Sequence, residues 1–174
     1  GYMIGRDGPF MRAMVQNTSD VGFSAPLIMQ ETAAVLLDRH IADQIARVNA
    51  GYREKARIAG ECIRETLGDY LESVTGGRAG FYFYLTFRDI DTREGSRLFR
   101  CLARTTGDSA IDGLPGDRKP RVVYVPGEFC VHQGGDLADT GRRQLRLSYG
   151  FEETTRICRA IGYMREAYEY ASRD

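Results

Sequence analysis

Arg146 is the residue of this sequence best placed to hold an anion. It lies in Leu145-Arg146-Leu147-Ser148-Tyr149-Gly150, where apolar and polar side chains alternate before a glycine. Successive side chains of a strand point to opposite faces, so Leu145, Leu147 and Tyr149 are predicted to face a core while Arg146 and Ser148 share the other face. A guanidinium keeps its charge at any ordinary pH, and its planar fork meets a carboxylate or phosphate at two points. Held on a strand above an apolar layer, it can orient an anionic ligand. An ordinary surface arginine is the commoner case, so the surroundings of the stretch have to decide.

The other chemically able residues form no self-contained catalytic set. His132 is two residues from Cys130 and His40 is far off, with no acidic or thiol cluster at ligand spacing, so no metal site is expected. Asp89 and Asp91 fall between a strand pattern and a helix pattern, which suits a turn and a cap. Ser24, Ser109 and Ser148 lack a nucleophile elbow or a paired base. Gly76-Gly77-Arg78-Ala79-Gly80 precedes a strand rather than linking a strand to a helix, so it is not a phosphate loop. Cys62, Cys101, Cys130 and Cys158 are widely spaced in apolar settings, and buried free thiols in a reducing cytoplasm are expected.

With 174 residues, 43% hydrophobic and 28% charged, the chain has the length and composition of one globular domain with a sizeable core. Lys and Arg total 24 and Asp and Glu total 24, so the net charge is zero and no nucleic-acid or membrane footprint is present. There is no secretory signal and no apolar run long enough to cross a bilayer, so the expected location is the cytoplasm.

The elements that must position Arg146 follow from periodicity. Gly1-Tyr2-Met3-Ile4-Gly5 reads as a buried strand, which suggests a chain beginning in mid-fold. A short helix is expected from Pro9, then a loop from Asn17 to Pro26. Helical spacing resumes at Leu27, and Ile45, Val48, Tyr52, Ala56, Ala59, Ile63, Leu67 and Tyr70 recur at three or four residues, as on an amphipathic helix. Phe81 to Phe87 is the clearest strand, with Phe81, Phe83, Leu85 and Phe87 on one face and Tyr82, Tyr84 and Thr86 on the other. Thr92 or Asp91 is expected to cap a helix from Arg93 to about Arg104. Residues 107–120 read as a loop, 121–125 as a strand, and 134–141 as a polar connection. After the Arg146 strand, a helix is expected over 152–173, with Glu152 and Glu153 in its first turn. This order describes an α+β layer, helices packed on a small sheet.

Several of these stretches, taken in order, resemble the C-terminal part of the class I/II pyridoxal-phosphate aminotransferases of fold type I. Gly1-Tyr2-Met3-Ile4-Gly5 is similar to the strand just after that family's cofactor-lysine segment. Gln30 and the alanines after it resemble its Q-x-A helix. Gly80-Phe81-Tyr82-Phe83 resembles the strand opening the small domain, and Val125-Pro126-Gly127-Glu128-Phe129-Cys130 its V-x-P-G-x-x-F turn. Leu145-Arg146-Leu147-Ser148-Tyr149 resembles the signature R-L-S-F/Y strand. The overall flavour is closest to the 2-aminoadipate and valine–pyruvate enzymes.

The resemblance implies a small antiparallel-type sheet covered by helices, with residues 1–40 a strip of the large cofactor domain and 41–174 the small domain. It implies a homodimer that uses pyridoxal 5'-phosphate to move an amino group between an α-amino acid and a 2-oxo acid, Arg146 binding the substrate α-carboxylate. The family's Schiff-base lysine is expected upstream of Gly1. Lys55 and Lys119 have the wrong context, so no catalytic residue is assigned here and the isolated chain is expected to be inactive. Arg142 and Arg143 stand where the family commonly has an asparagine. The rival expectations are a non-catalytic effector-binding domain of a transcription regulator, for which a helix-turn-helix segment would lie upstream, and a free-standing α+β domain with a fortuitous likeness.

Overall fold

A computed structural model describes residues 3–22 and 25–173. Gly1, Tyr2 and Ser24 therefore lie outside the described residues. The chain divides into two compact units, residues 1–48 and 49–174.

The first unit is helical. Met3–Gly5 forms no strand, contrary to expectation. Helix α1 spans Pro9–Gly22 and α2 spans Leu27–Arg39. The loop expected from Asn17 begins later because the polar residues are satisfied on the helix surface. Thr18 Oγ1 donates to the Met14 carbonyl at 2.9 Å, and Gln16 donates to Asp20 at 2.7 Å. None of the described residues of α1 or α2 is buried, and Phe10, Val15, Val21, Leu27 and Ile28 are exposed apolar side chains.

Helix α3 (Ile41–Leu67) buries Ala56, Ala59, Ile63 and Leu67 of the predicted stripe, whereas Ile45 and Val48 are exposed and Tyr70 lies in the turn that follows. A 3-10 turn at Gly68–Tyr70 leads into strand β1 (Leu71–Gly76) and then β2 (Tyr82–Phe87). Strand β1 carries no recognisable alternation because it lies at the edge of the sheet and buries only Leu71. Helix α4 (Arg97–Ala103) starts later than expected, capped by Ser96 rather than by Thr92 or Asp91; the Ser96 side chain accepts from the Phe99 amide. Residues 109–118 hold a one-turn helix α5 (Ser109–Asp112) and a two-residue hairpin, β3 (Gly113–Leu114) with β4 (Asp117–Arg118).

Of the strand expected over 121–125, only β5 (Val125–Pro126) joins the ladder. Short helix α6 (Ala138–Gly141), strand β6 (Gln144–Ser148) and helix α7 (Thr154–Ala171) complete the chain. Glu153 stands at the N-cap of α7 rather than in its first turn. Four strands form one antiparallel sheet in the order β1-β2-β6-β5. One sheet face carries Phe83, Leu85, Phe87, Leu145 and Leu147, and this face, α3, α4 and α7 share a single buried core. Each large side chain removed from water there contributes about 1.5–3 kcal/mol. The fold class is thus the expected one, a small antiparallel sheet with helices packed on it.

The cysteines correct the sequence reading. Cys62 of α3 and Cys158 of α7 form a disulfide with Cα atoms 5.6 Å apart, and Cys130 is exposed; only Cys101 is a buried free thiol. The pair is 96 residues apart in sequence. Only the tertiary fold brings their sulfurs together. Among the described residues, no helix is long and apolar enough to cross a membrane.

Candidate carboxylate-binding site

Strand β6 is an interior strand, and Arg146 is its central residue. Its Cα pairs with Tyr84 of β2 on one side and with Val125 of β5 on the other. The alternation predicted from sequence holds: Leu145, Leu147 and Tyr149 are buried, while Arg146 is half-buried on the opposite face.

Three features hold Arg146 in place. Its guanidinium carbon lies 4.5 Å from the centre of the Tyr82 ring, close enough for attraction between cation and ring face. Beside it, Tyr84 donates its hydroxyl to Gln144 Oε1 at 3.0 Å, and Gln144 Nε2 donates to Thr86 Oγ1 at 3.0 Å. Burial raises the Tyr84 phenol above its ordinary range, with the Cys130 thiol adding to the shift, so Tyr84 is a neutral donor at physiological pH. At the start of β6, Thr92 lies against the carbonyls of Arg142 and Gln144, at 3.0 and 2.5 Å from its hydroxyl.

The turn before the strand depends on one glycine. A Cβ on Gly127 would lie 2.4 Å from Gln144 Cβ and 2.6 Å from the Gly141 carbonyl oxygen. Only glycine lets the Pro126-Gly127 turn cross this close to the start of β6.

Arg146 has no ion-pair partner among the described residues, and its Nε is buried with no hydrogen-bond partner. A buried donor left open costs about 1–3 kcal/mol. A carboxylate beside the guanidinium would offer both an acceptor and an opposite charge.

The other singled-out residues lie elsewhere or have structural roles. Arg143 Nη1 is 2.8 Å from Glu72 and 2.8 and 2.7 Å from the carbonyls of Phe87 and Arg88. Arg142 pairs with Asp139 at 3.5 Å. Asp91 accepts from the Arg93 amide and guanidinium, which hold its carboxyl below the ordinary range, as expected of a turn residue. His132 Nδ1 accepts from the Gly134 amide, and Ser148 Oγ from the Gly150 amide. Ser109 opens α5. Sequence reasoning missed Tyr82, Tyr84 and Gln144 as neighbours of Arg146. Their period-2 placement was legible, but the register that sets them beside Arg146 was not.

Neither lysine has a free amine. Lys55 Nζ lies 3.2, 3.4 and 2.9 Å from the carbonyl oxygens of Gly150, Phe151 and Glu152, and Lys119 Nζ donates to the Ala110 carbonyl. The lysines described here therefore do not fit covalent attachment of a cofactor aldehyde, and no chemical step through such a cofactor follows from these residues.

No protein-family model matches the chain, and no curated protein matches it significantly. Solved structures do match. The alpha-aminoadipate aminotransferase LysN of Thermus thermophilus, complexed with N-(5'-phosphopyridoxyl)-L-leucine, superposes with a TM-score of 0.69 at 20% identity, over 93% of this chain and 36% of that one. A proposed amino-acid aminotransferase of Psychrobacter arcticum superposes with a TM-score of 0.66 at 18% identity, over 95% of this chain and 35% of that one. The chain spans about a third of the length of these enzymes, and its fold is that of a portion of a pyridoxal-phosphate-dependent aminotransferase.

Proposed function

We propose that this chain is the small-domain, carboxylate-binding part of an aminotransferase that moves an amino group between an α-amino acid and a 2-oxo acid. The observation that carries the reading is the state of Arg146: a ring-backed guanidinium on an interior strand, with its buried Nε lacking a partner. Two-point binding of the α-carboxylate fixes the orientation of the substrate Cα and its substituents, which lowers the entropic part of the barrier. Tyr84 and Gln144 brace the same sheet face, so the fork is held before substrate arrives. Pyridoxal phosphate, when bound, supplies the electron sink for such reactions. In this proposal it is held by a lysine and a phosphate site outside this chain, in a homodimeric parent enzyme located in the cytoplasm, and the isolated chain does not transaminate.

In the full-length protein, Arg146→Ala is expected to raise KM for both the amino acid and the oxo acid by tenfold or more. Unchanged KM values would remove the assignment. One alternative is a non-catalytic effector-binding domain of a transcription regulator, which would sense an amino acid through the same arginine. Amino-acid binding that needs Arg146 but proceeds without turnover in the full-length protein would select that alternative.

A further inference from the structure

Strand β5 pairs with β6 only at Val125 and Pro126, and residues 121–124 before it lie outside the ladder. A cavity of about 440 Å³ lies between residues 120–123, the end of β6 and the first turns of α7. Arg146 does not line it. Its volume falls within the range of small-molecule sites.

The lining has two parts. Val122, Val123, Leu147, Ala160 and Tyr163 give it apolar walls, and Val123 is 75% exposed although it is a large apolar side chain. Arg121, Arg156 and Arg159 supply three positive charges against the single carboxylate of Glu152. Glu152 already pairs with Arg156 at 3.2 Å. Arg121 and Arg159 have no ion-pair or side-chain hydrogen-bond partner among the described residues. The cavity therefore joins an apolar body site to two uncompensated guanidinium groups.

The walls are fixed from behind. Arg104, in the left-handed conformation at φ 57° after α4, donates from Nε to the Pro120 carbonyl at 3.0 Å, and its guanidinium carbon lies 5.8 Å from the centre of the Tyr163 ring. It thus ties the two opposite walls together. Lys55 holds the carbonyls of Gly150 to Glu152 at the start of α7. The Val122 amide donates to the Leu102 carbonyl at 3.0 Å.

We infer that this cavity is a second anion site, which takes an organic carboxylate with an apolar or aromatic body. The body covers Val123 and Leu147, and the carboxylate is held by Arg121 and Arg159. The inference does not rest on the proposed function, because the cavity and Arg146 share no charged residue.

The test is titration calorimetry of the full-length protein with 3-phenylpropanoate as probe, beside 3-phenylpropanamide and acetate. Saturable binding of 3-phenylpropanoate is expected, with binding of the amide and of acetate at least tenfold weaker. The double variant Arg121→Gln/Arg159→Gln is expected to lose at least tenfold in affinity while keeping the wild-type melting temperature, since both side chains are exposed. Arg146→Gln is expected to leave the binding that depends on Arg121 and Arg159 unchanged. Absence of saturable binding, acetate binding as tight as that of the aromatic acid, or loss of binding through Arg146→Gln but not the double variant would each overturn the inference. Because Arg146→Gln is scored separately, failure of this site is distinguishable from failure of the carboxylate site on β6.

Discussion

Tyr82 and Arg146 are diagonal neighbours on the sheet rather than cross-strand partners. Tyr82 pairs with Ser148 and Arg146 with Tyr84, yet the guanidinium carbon stands 4.5 Å from the Tyr82 ring centre. Diagonal positions lie within reach of long and aromatic side chains. The ring therefore orients the arginine without competing for the hydrogen-bonding edge that a carboxylate needs.

Tyr82→Ala is accordingly expected to weaken carboxylate binding in the full-length protein by about two- to fivefold, the range implied by ~0.5–1 kcal/mol of cation–ring attraction. Tyr82→Phe should behave like wild type, because the ring face and not the hydroxyl makes the contact. The measurement is KM for amino acid and oxo acid in both variants. Equal losses in the Phe and Ala variants would show that the ring plays no part.

The Cys62–Cys158 disulfide joins α3 to α7 across 96 residues of sequence. Closing so long a loop removes entropy from the unfolded chain, with a chain-entropy ceiling of about 4–5 kcal/mol. Urea unfolding with and without dithiothreitol should show a lower midpoint under reduction. A Cys62→Ser/Cys158→Ser variant should start at the reduced midpoint and ignore the reductant. A midpoint indifferent to reduction in the wild-type chain would refute the bond's contribution.

Tyr124 gives the fold an alkaline limit. Its ring is buried, its hydroxyl donates to the Thr92 carbonyl at 2.8 Å, and burial foremost pushes its pKa well above the ordinary phenol value, with the Asp91 charge adding to the shift. The folded pKa exceeds the unfolded one, so the unfolded chain releases its proton first. Stability is then fully present below about pH 10 and is lost as pH rises towards the folded pKa. Tyr124→Phe is expected to cost about 1 kcal/mol at pH 8 through the lost hydrogen bond. It should also flatten part of the fall in stability above about pH 10. The remainder persists because the phenols of Tyr70, Tyr84 and Tyr149 shift the same way. Urea midpoints from pH 8 to 11.5 check this, and parallel curves for the two proteins would exclude the role.

Local periodicity carried the parts of the fold whose two faces meet different surroundings. Leu145, Leu147 and Tyr149 alternate with Arg146 and Ser148 because one face of β6 meets the core and the other does not. The buried stripe Ala56, Ala59, Ile63 and Leu67 was legible for the same reason. Strand β1 was not, since an edge strand with only Leu71 buried leaves no alternation to read. The cap of α4 was misplaced because Thr92, which looks like a cap, uses its hydrogen bonds on the carbonyls of residues fifty positions away.

The strand by itself did not set Arg146 apart from an ordinary surface arginine; the order of stretches around it pointed to an aminotransferase-like fold. The sequence determined which residue carries the charge, which face it occupies and that neither Lys55 nor Lys119 has the setting of a cofactor lysine. Only the tertiary structure decided what surrounds that charge: the Tyr82 ring beneath it, the Tyr84–Gln144 brace beside it, the Cys62–Cys158 bond and the arginine-lined cavity before β5. The physical reason is that side-chain direction follows from local backbone geometry, whereas register, helix packing and the parting of two strands are set by contacts between residues far apart in the chain.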